Sequence, residues 1–340
     1  MKKIVFLLCI VCASAWILTG CQSTPSGDKS PQKSGAKQNR VVLYCSVDDV
    51  YARPIVAELE KKTGLQIDVL YDVEAAKTAG LANRIRAEKT RPRGDVFWSS
   101  ALLQTLLLKR EGLLQNYSSP KAKDIPAAFK DKDGAWTGMG VRARVVMFSS
   151  LPPEQNAIFL SGEGLLGPHY KNKNGISNPQ FGTASDWVAA LAVRWGKEKT
   201  LNYFRALKKN GVRVLPGNGV VAEKVARGEL RAGVTDMDDY GTFSKKYSNG
   251  KQSLIHANNF DEGALIPGSV AILNHAPHQA NAQKLVDALL DAETEKRLAQ
   301  LMRGVEPLHN AKISFPNDTD KWAGAWLSIR DPLFEILLTP

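Results

Sequence analysis

Short apolar runs alternating with amphipathic segments of helix length constrain this chain more than any other feature. Val41-Val42-Leu43-Tyr44-Cys45 is continuously apolar, which suits a strand buried on both faces of a parallel sheet. After a polar turn at Ser46–Asp49, Tyr51, Ile55 and Leu59 recur every four residues, with Glu58, Glu60, Lys61 and Lys62 between them. That spacing predicts a helix, and Gly64 closes it. Leu65–Tyr71 alternates as a second strand, 75–89 carries helical periodicity, and Asp95–Trp98 reads as a third strand. Strand, helix, strand, helix, strand in so short a span predicts parallel βαβ units and an α/β fold.

The alternation continues downstream. Strands are expected at Arg144–Phe148, Val212–Leu215, Arg231–Thr235 and Ser269–Leu273. Helices are expected at Ala184–Trp195, Thr200–Lys209, Val220–Arg227 and, as one long amphipathic element, Ala280–Met302. In open α/β sheets ligands bind beyond the carboxyl ends of the strands. Four such ends carry polar clusters: Ser46-Val47-Asp48-Asp49, Asp72-Val73-Glu74, Trp98-Ser99-Ser100 and Asp236-Met237-Asp238-Asp239-Tyr240. Gly182-Thr183-Ala184-Ser185 opens a helix, where free N–H groups and the helix dipole favour an anion. Each cluster also has a plainer reading. Asp48 and Asp49 suit a helix cap, Glu74 a first-turn acid, Trp98 the core, Asp238 and Asp239 a solvated loop or the cap of the next helix, Thr183 and Ser185 caps, and Arg142 or Arg144 a structural ion pair.

The first forty residues are of another kind. Lys2 and Lys3 precede an apolar run from Ile4 to Leu18, which is shorter than the ~20 residues of a membrane-spanning helix. A charged start, a short apolar stretch and small residues at the end mark a secretory leader, expected over residues 1–20. Leu18-Thr19-Gly20-Cys21 resembles a bacterial lipobox, and this resemblance implies lipidation of Cys21. The alternative is a plain leader with a cysteine by chance at its cleavage site. Residues 21–40, rich in Ser, Pro, Gly, Lys and Gln, are expected to be a flexible leash.

Charge and cysteine usage exclude several classes. The formal net charge is +11, but Lys2 and Lys3 lie in the leader, while Lys29, Lys33, Lys37 and Arg40 outnumber Asp28 in the leash. The body is therefore only mildly basic and has no basic block, so no nucleic-acid partner is expected. Cys9 and Cys12 lie in the leader, which leaves Cys45 alone in the body. That excludes an internal disulfide and a cysteine metal cluster. The five histidines lack close metal-ligand spacing, and His275-Ala-Pro-His278 reads as a loop coincidence. His-Glu-x-x-His, Gly-x-Ser-x-Gly and Walker patterns are absent, and Pro120 interrupts Ser118-Ser-Pro-Lys121, so no enzyme is expected.

Cys45-Ser-Val-Asp-Asp-Val-Tyr-Ala-Arg-Pro54 and Glu60-Lys-Lys-Thr-Gly-Leu-Gln-Ile-Asp-Val-Leu-Tyr-Asp72 are followed by Glu74-Ala-Ala-Lys-Thr78 and Arg93-Gly-Asp-Val-Phe-Trp-Ser99. Pro216-Gly-Asn-Gly219 and Gly228-Glu-Leu-Arg-Ala-Gly-Val-Thr-Asp236 come next, in order. This series resembles the ferric-iron-type solute-binding proteins of ABC importers. The resemblance implies a type II periplasmic-binding fold, with two α/β lobes and a ligand cleft at the hinge. The lobes are expected at 41–142 plus about 261–300, and at 143–260 plus about 301–340. It further implies a monomeric, membrane-anchored, extracytoplasmic receptor that hands its solute to an ABC permease by hinge closure.

The ligand set departs from the family pattern. Iron-binding members carry two adjacent tyrosines after the strand matching Arg231–Thr235; here those positions are Asp238 and Asp239, with Tyr240 next. A histidine often found after the first strand is replaced by Asp48. If Fe³⁺ is the transported ligand, Asp238, Asp239 and Tyr240 are its expected donors, beside a synergistic anion; no resident cofactor is expected. The resemblance assigns the anion half to Gly182, Thr183 and Ala184, with Asn218, Arg142 and Arg144. Asp48, Glu74, Trp98, Ser99, Arg142, Gly182, Thr183, Asn218, Asp236, Asp238, Asp239 and Tyr240 form the candidate ligand set. Ferric iron and a small anionic organic solute both stay open, as do two other roles. These are a sensing subunit for a membrane kinase and an extracytoplasmic hydrolase using Asp238 and Asp239.

Overall fold

The run beginning at Val41 does form an inner strand, β1 (Arg40–Cys45), in which Val41, Leu43 and Cys45 are fully buried. A computed structural model describes residues 39–72, 77–149, 163–247, 256–259, 265–312 and 318–339. α1 (Asp49–Thr63) buries Ala52, Ile55, Val56 and Leu59 and ends where Gly64, at φ 68°, donates its N–H to Glu60. Only a residue tolerant of the left-handed region closes a helix this way without strain. β2 (Gln66–Tyr71), α2 (Ala79–Ala87) and β3 (Val96–Ser99) complete the parallel unit, with Leu43 facing Val69 on one side and Val96 on the other.

The chain continues through α3 (Leu103–Arg110), β4 (Leu114–Gln115) and the long β5 (Thr137–Phe148). A second α/β unit then follows: β6 (Asn174–Ser177), α4 (Gly182–Trp195), α5 (Lys197–Lys209), β7 (Arg213–Leu215), α6 (Asn218–Ala226), β8 (Ala232–Asp236) and α7 (Met237–Tyr247). β9 (His256–Asn259), β10 (Leu265–Leu273), α8 (Gln279–Leu289), α9 (Ala292–Leu301), β11 (Val305–Glu306) and α10 (Thr319–Leu338) follow. The strand order is β2-β1-β3-β10-β5-β8-β6-β7. β5 is common to both halves: Thr137–Ala143 pairs antiparallel with β10, and Arg144–Phe148 pairs antiparallel with β8. One strand thus passes from the first lobe into the second.

Three differences from the sequence pattern have local causes. The expected helix over Ala280–Met302 is two helices, because Asp291 takes an extended conformation and its carboxylate accepts the Glu293 N–H as a new N-cap. β6 escaped the apolar pattern because only Ile176 in Asn174–Ser177 is large and apolar, while Asn174 is buried and donates to the Leu165 and Tyr170 carbonyls. The helical segment expected from 75 begins at Ala79, and 75–76 lie outside the described residues. α10 buries Trp322, Trp326, Ile329, Leu333 and Leu337 at helical spacing and packs on α4, α5 and α3, so it joins the two lobes. Among the described residues no helix is long and apolar enough to cross a membrane.

A charged knot fixes the end of the body to the crossover strand. Glu295 is buried and accepts the Gly140 N–H at 2.7 Å, the His309 N–H at 3.0 Å and His309 Nδ1 at 2.6 Å. His309 Nε2 lies 3.0 Å from the Lys121 carbonyl, so both ring nitrogens face acceptors and both carry protons. Burial opposes that charge, but Glu295 and the Lys121 carbonyl outweigh it and raise the His309 pKa above its ordinary value. The raised pKa gives stability that is complete below the unfolded value near 6.5 and is lost as pH rises through the folded value. Thermal melts from pH 6 to 9 are therefore expected to fall more steeply for the native chain than for His309→Gln. Parallel curves would remove the imidazolium from the knot.

Candidate functional site

The strand-end loops of β1, β3, β6, β7 and β8 converge on one cleft of about 230 Å³ between the lobes. Asp48, Lys77 and Ser100 line it from the first lobe and Arg142 from the crossover strand. Ser177, Asn178, Gly182, Thr183, Pro216–Gly219, Asp236, Asp238 and Asp239 line it from the second.

The floor is a buried ion network. Arg142 and Arg144 stand two apart on β5, so they share a face, and Arg144 pairs in register with Asp236 of β8. Arg144 Nη1 donates to Asp236 Oδ1 at 2.8 Å, and Arg142 Nε lies 3.3 Å from Oδ2. Thr183 Oγ1 and Asn218 Nδ2 add bonds to Oδ2 at 2.6 and 3.0 Å. Arg144 also reaches the Asn218 amide oxygen at 2.8 Å and stacks 5.4 Å from the Trp187 ring centre. Burial alone would raise the Asp236 pKa; Arg144 and Arg142, aided by the Thr183 hydroxyl, outweigh it and hold the carboxyl below its ordinary range.

The other acids are less well served. Asp238 Oδ1 lies 3.5 Å from Arg142 Nε and has no hydrogen-bond donor. Asp239 Oδ2 accepts from the Thr235 hydroxyl at 3.0 Å. Burial pushes the Asp238 pKa up against the pull of Arg142, and Asp236 adds to the rise. Burial, then Asp238 and Asp236, drive Asp239 well above the usual carboxylate value. One carboxylate oxygen from each of Asp236, Asp238 and Asp239 lies within 4.8 Å of the others.

Two helices point their starts at this cleft, α4 through Gly182–Thr183 and α6 through Asn218–Gly219, and neither has a side-chain cap of its own. The lobes touch here. Gly182 donates its N–H to the Lys77 carbonyl at 3.2 Å, and Arg142 Nη2 donates to the Ser100 carbonyl at 2.9 Å. Asp186, fully buried on α4, accepts the Leu102 and Leu103 N–H groups at 2.6 and 2.9 Å, capping α3 from the other lobe. Burial pushes its pKa up to about 7 against those two bonds.

Of the residues singled out in the sequence, Asp48, Arg142, Gly182, Thr183, Asn218, Asp236, Asp238 and Asp239 line the cleft. Asp48 sits at the α1 N-cap without a side-chain capping bond and pairs instead with Lys77. Trp98 and Ser99 do not line it: both are wholly buried in β3, and the Ser99 hydroxyl donates to the Ala101 carbonyl. Tyr240 does not line the cleft. Helical rotation past Asp238 and Asp239 carries it to the apolar cluster of Val221, Val225 and Leu230. Arg144 lies beneath the cleft, bracing Asp236. Glu74 and Cys21 lie outside the described residues. Lys77, Ser177 and Asn178 were not singled out, although the strand-end rule reaches the serine and asparagine once β6 is recognised.

Removing one partner of such a buried network strands the rest. Asp236→Ala is expected to destabilise the chain by about 3–5 kcal/mol in urea melts, because two buried guanidinium groups lose their shared carboxylate. A melt within 1 kcal/mol of the native chain, as for an ordinary surface change, would show that the network is not structural.

A family model described as "Bacterial extracellular solute-binding protein" matches residues 95–324. The major ferric iron-binding protein of Neisseria gonorrhoeae is 25% identical over 283 residues, covering 81% of this chain and 82% of its own. Iron-bound HitA from Pseudomonas aeruginosa superposes with a TM-score of 0.75 at 19% identity, over 87% of this chain and 99% of its own. AfuA from Actinobacillus pleuropneumoniae, with fructose-6-phosphate bound, gives 0.75 at 21% identity, over 88% and 99%. These likenesses fix the type II periplasmic-binding fold, and the chain belongs to the bacterial extracellular solute-binding protein family.

Proposed function

We propose that this protein is a lipid-anchored extracytoplasmic receptor that closes its lobes on a small anionic solute and delivers it to an ABC permease. The observation that carries the reading is the convergence of two helix starts, uncapped by their own side chains, on an inter-lobe cleft that Lys77 also lines. Free N–H groups at a helix start and the helix dipole together favour a phosphate, phosphonate or carboxylate. Binding alone is required of the site. Contacts from both lobes favour the closed state over the open one, and β5 serves as the crossover on which the lobes turn. The lobe boundaries that go with this reading are 41–142 plus about 261–300, and 143–260 plus about 301–340.

Ferric iron with a synergistic anion is the second reading. The three clustered carboxylates favour it, as does the iron bound by several relatives. Against it, both Asp236 oxygens already accept from protein donors, and Tyr240 stands with the apolar cluster. The donor set is thus short of what a hard trivalent ion takes from oxygen ligands.

Thermal melts and small-angle scattering with inorganic phosphate, ethylphosphonate and ferric citrate separate the readings. A phosphoryl-class anion is expected to stabilise the chain by about 2.7 kcal/mol at a hundredfold excess over Kd, and to contract it. A response to ferric citrate alone transfers the site to iron; silence from every probe sinks the receptor reading. For the anchor, Cys21→Ala is expected to move the protein from the membrane pellet to the soluble extracytoplasmic fraction. Retention in the pellet would refute lipidation at that residue.

A further inference from the structure

We infer that closing the lobes takes up a proton at Asp186, so that acid favours the closed form and alkali the open one. The inference rests on the hinge-closure reading and on no particular solute.

Asp186 stands one turn into α4, in the second lobe, and is 1% exposed. Its Oδ1 is used across the lobe boundary, where it accepts the Leu102 N–H at 2.6 Å and the Leu103 N–H at 2.9 Å. Leu102 is the N-cap residue of α3 and has no polar side chain with which to cap it. Asp186 therefore supplies from the second lobe the acceptor that a helix start ordinarily takes from its own N-cap residue. Oδ2 is in another position: it is buried and has no hydrogen-bond partner among the described residues. A carboxylate with one oxygen bare of donors is unfavourable in such a place. A neutral carboxyl with its proton on Oδ2 keeps Oδ1 free to hold both N–H groups.

The surroundings do little to restore the charge. α4 packs on α10, α5, α3 and β10. The buried faces of α10, α5 and β10 carry no charged side chain, and the one titratable group on them, the Tyr203 phenol, is kept neutral by burial. α3 meets Asp186 with its uncharged start, while Lys109 and Arg110 stand at its far end. The strongest charged neighbours are Arg142 of β5, which favours the carboxylate, and Asp236 of β8, which opposes it. Arg142 is itself shared among Asp236, Asp238 and the Ser100 carbonyl. Burial outweighs the two N–H bonds and Arg142, and the Asp186 carboxyl titrates at about 7.

When the lobes part, Leu102 and Leu103 leave Asp186, and the carboxyl meets water and returns towards its ordinary value. The closed form then binds the proton more tightly than the open one. Closure is strongest below about pH 4, weakens by up to about tenfold per pH unit as pH rises towards 7, and levels off above it. Any solute that binds the closed form inherits the same trend.

Small-angle scattering and amide hydrogen exchange of the ligand-free chain from pH 5 to pH 8 test this. The native chain is expected to be contracted at pH 5 and expanded at pH 8. The Leu102 and Leu103 amides are expected to lose protection over the same interval, beyond the intrinsic rise of exchange with pH. Asp186→Asn, whose amide oxygen accepts both N–H groups without charge, is expected to stay contracted and protected throughout. Asp186→Ala, which lacks the acceptor, is expected to be expanded throughout. An Asp186→Asn chain that opens in step with the native one overturns the inference, because Asp238 and Asp239 then drive the transition. A native chain expanded at every pH that still contracts with inorganic phosphate keeps the hinge and overturns the proton. One size at every pH, with and without phosphate, overturns both. If the asparagine variant does not fold, exchange in the native chain decides: loss of protection centred on Leu102 and Leu103 supports Asp186, and loss centred on the Asp238–Asp239 loop overturns it.

Discussion

Two arginines two residues apart on the crossover strand converge on one buried carboxylate, and the cleft is built around that contact. Arg142 and Arg144 face the same way because side chains alternate along a strand, and Asp236 ends the neighbouring strand in register with Arg144. Taking three charges out of water is unfavourable unless every donor and acceptor finds a partner. Thr183 at the start of α4 and Asn218 at the start of α6 add bonds to the shared carboxylate, while Arg144 Nε and Nη2 are left without a hydrogen-bond partner among the described residues. The same interactions that neutralise the buried charges thus aim two helix starts at one point. Stability and ligand geometry here have a common origin.

This arrangement also explains how the halves communicate. β5 belongs to both lobes, Arg142 reaches the Ser100 carbonyl, and the Gly182 N–H meets the Lys77 carbonyl. Asp186 lends its carboxylate to the uncapped start of α3 across the same boundary. Each of these bonds depends on the relative placement of the lobes, so separating them would expose groups that are satisfied in this arrangement. A solute bridging the walls adds to a balance already set by such contacts, and it need supply only the difference between open and closed states. α10, packed on α3, α4 and α5, joins the lobes through side-chain packing as well as through the strand.

The family pattern and the local chemistry separate at the acids. Where the family resemblance implies adjacent tyrosines, this chain has carboxylates, one with an oxygen that no donor among the described residues reaches and both destabilised in their charged form by burial. A fold shared with an iron-bound protein and a fructose-6-phosphate-bound one does not choose between those ligands, because function lies in the site and not in the scaffold. The choice lies in the few side chains that line the cleft beside the helix starts, and here these include Asp236, Asp238 and Asp239.

The sequence by itself determined the α/β class, the βαβ order and the polar strand ends, because apolar periodicity and turn residues are local properties of the chain. Asp48, Gly182, Thr183 and the Asp236–Asp239 cluster could be named for that reason, each standing where a strand ends or a helix begins, whereas Arg142, within β5, and Asn218 came from the family resemblance. Only the tertiary structure decided which of them meet. It sent Trp98 and Ser99 into the core and turned Tyr240 onto an apolar cluster by one step of helical rotation. It divided the helix expected over Ala280–Met302 at Asp291 and committed Asp236 to two arginines distant in sequence. Those outcomes depend on burial and on partners from other elements, so no window of neighbouring residues contains them.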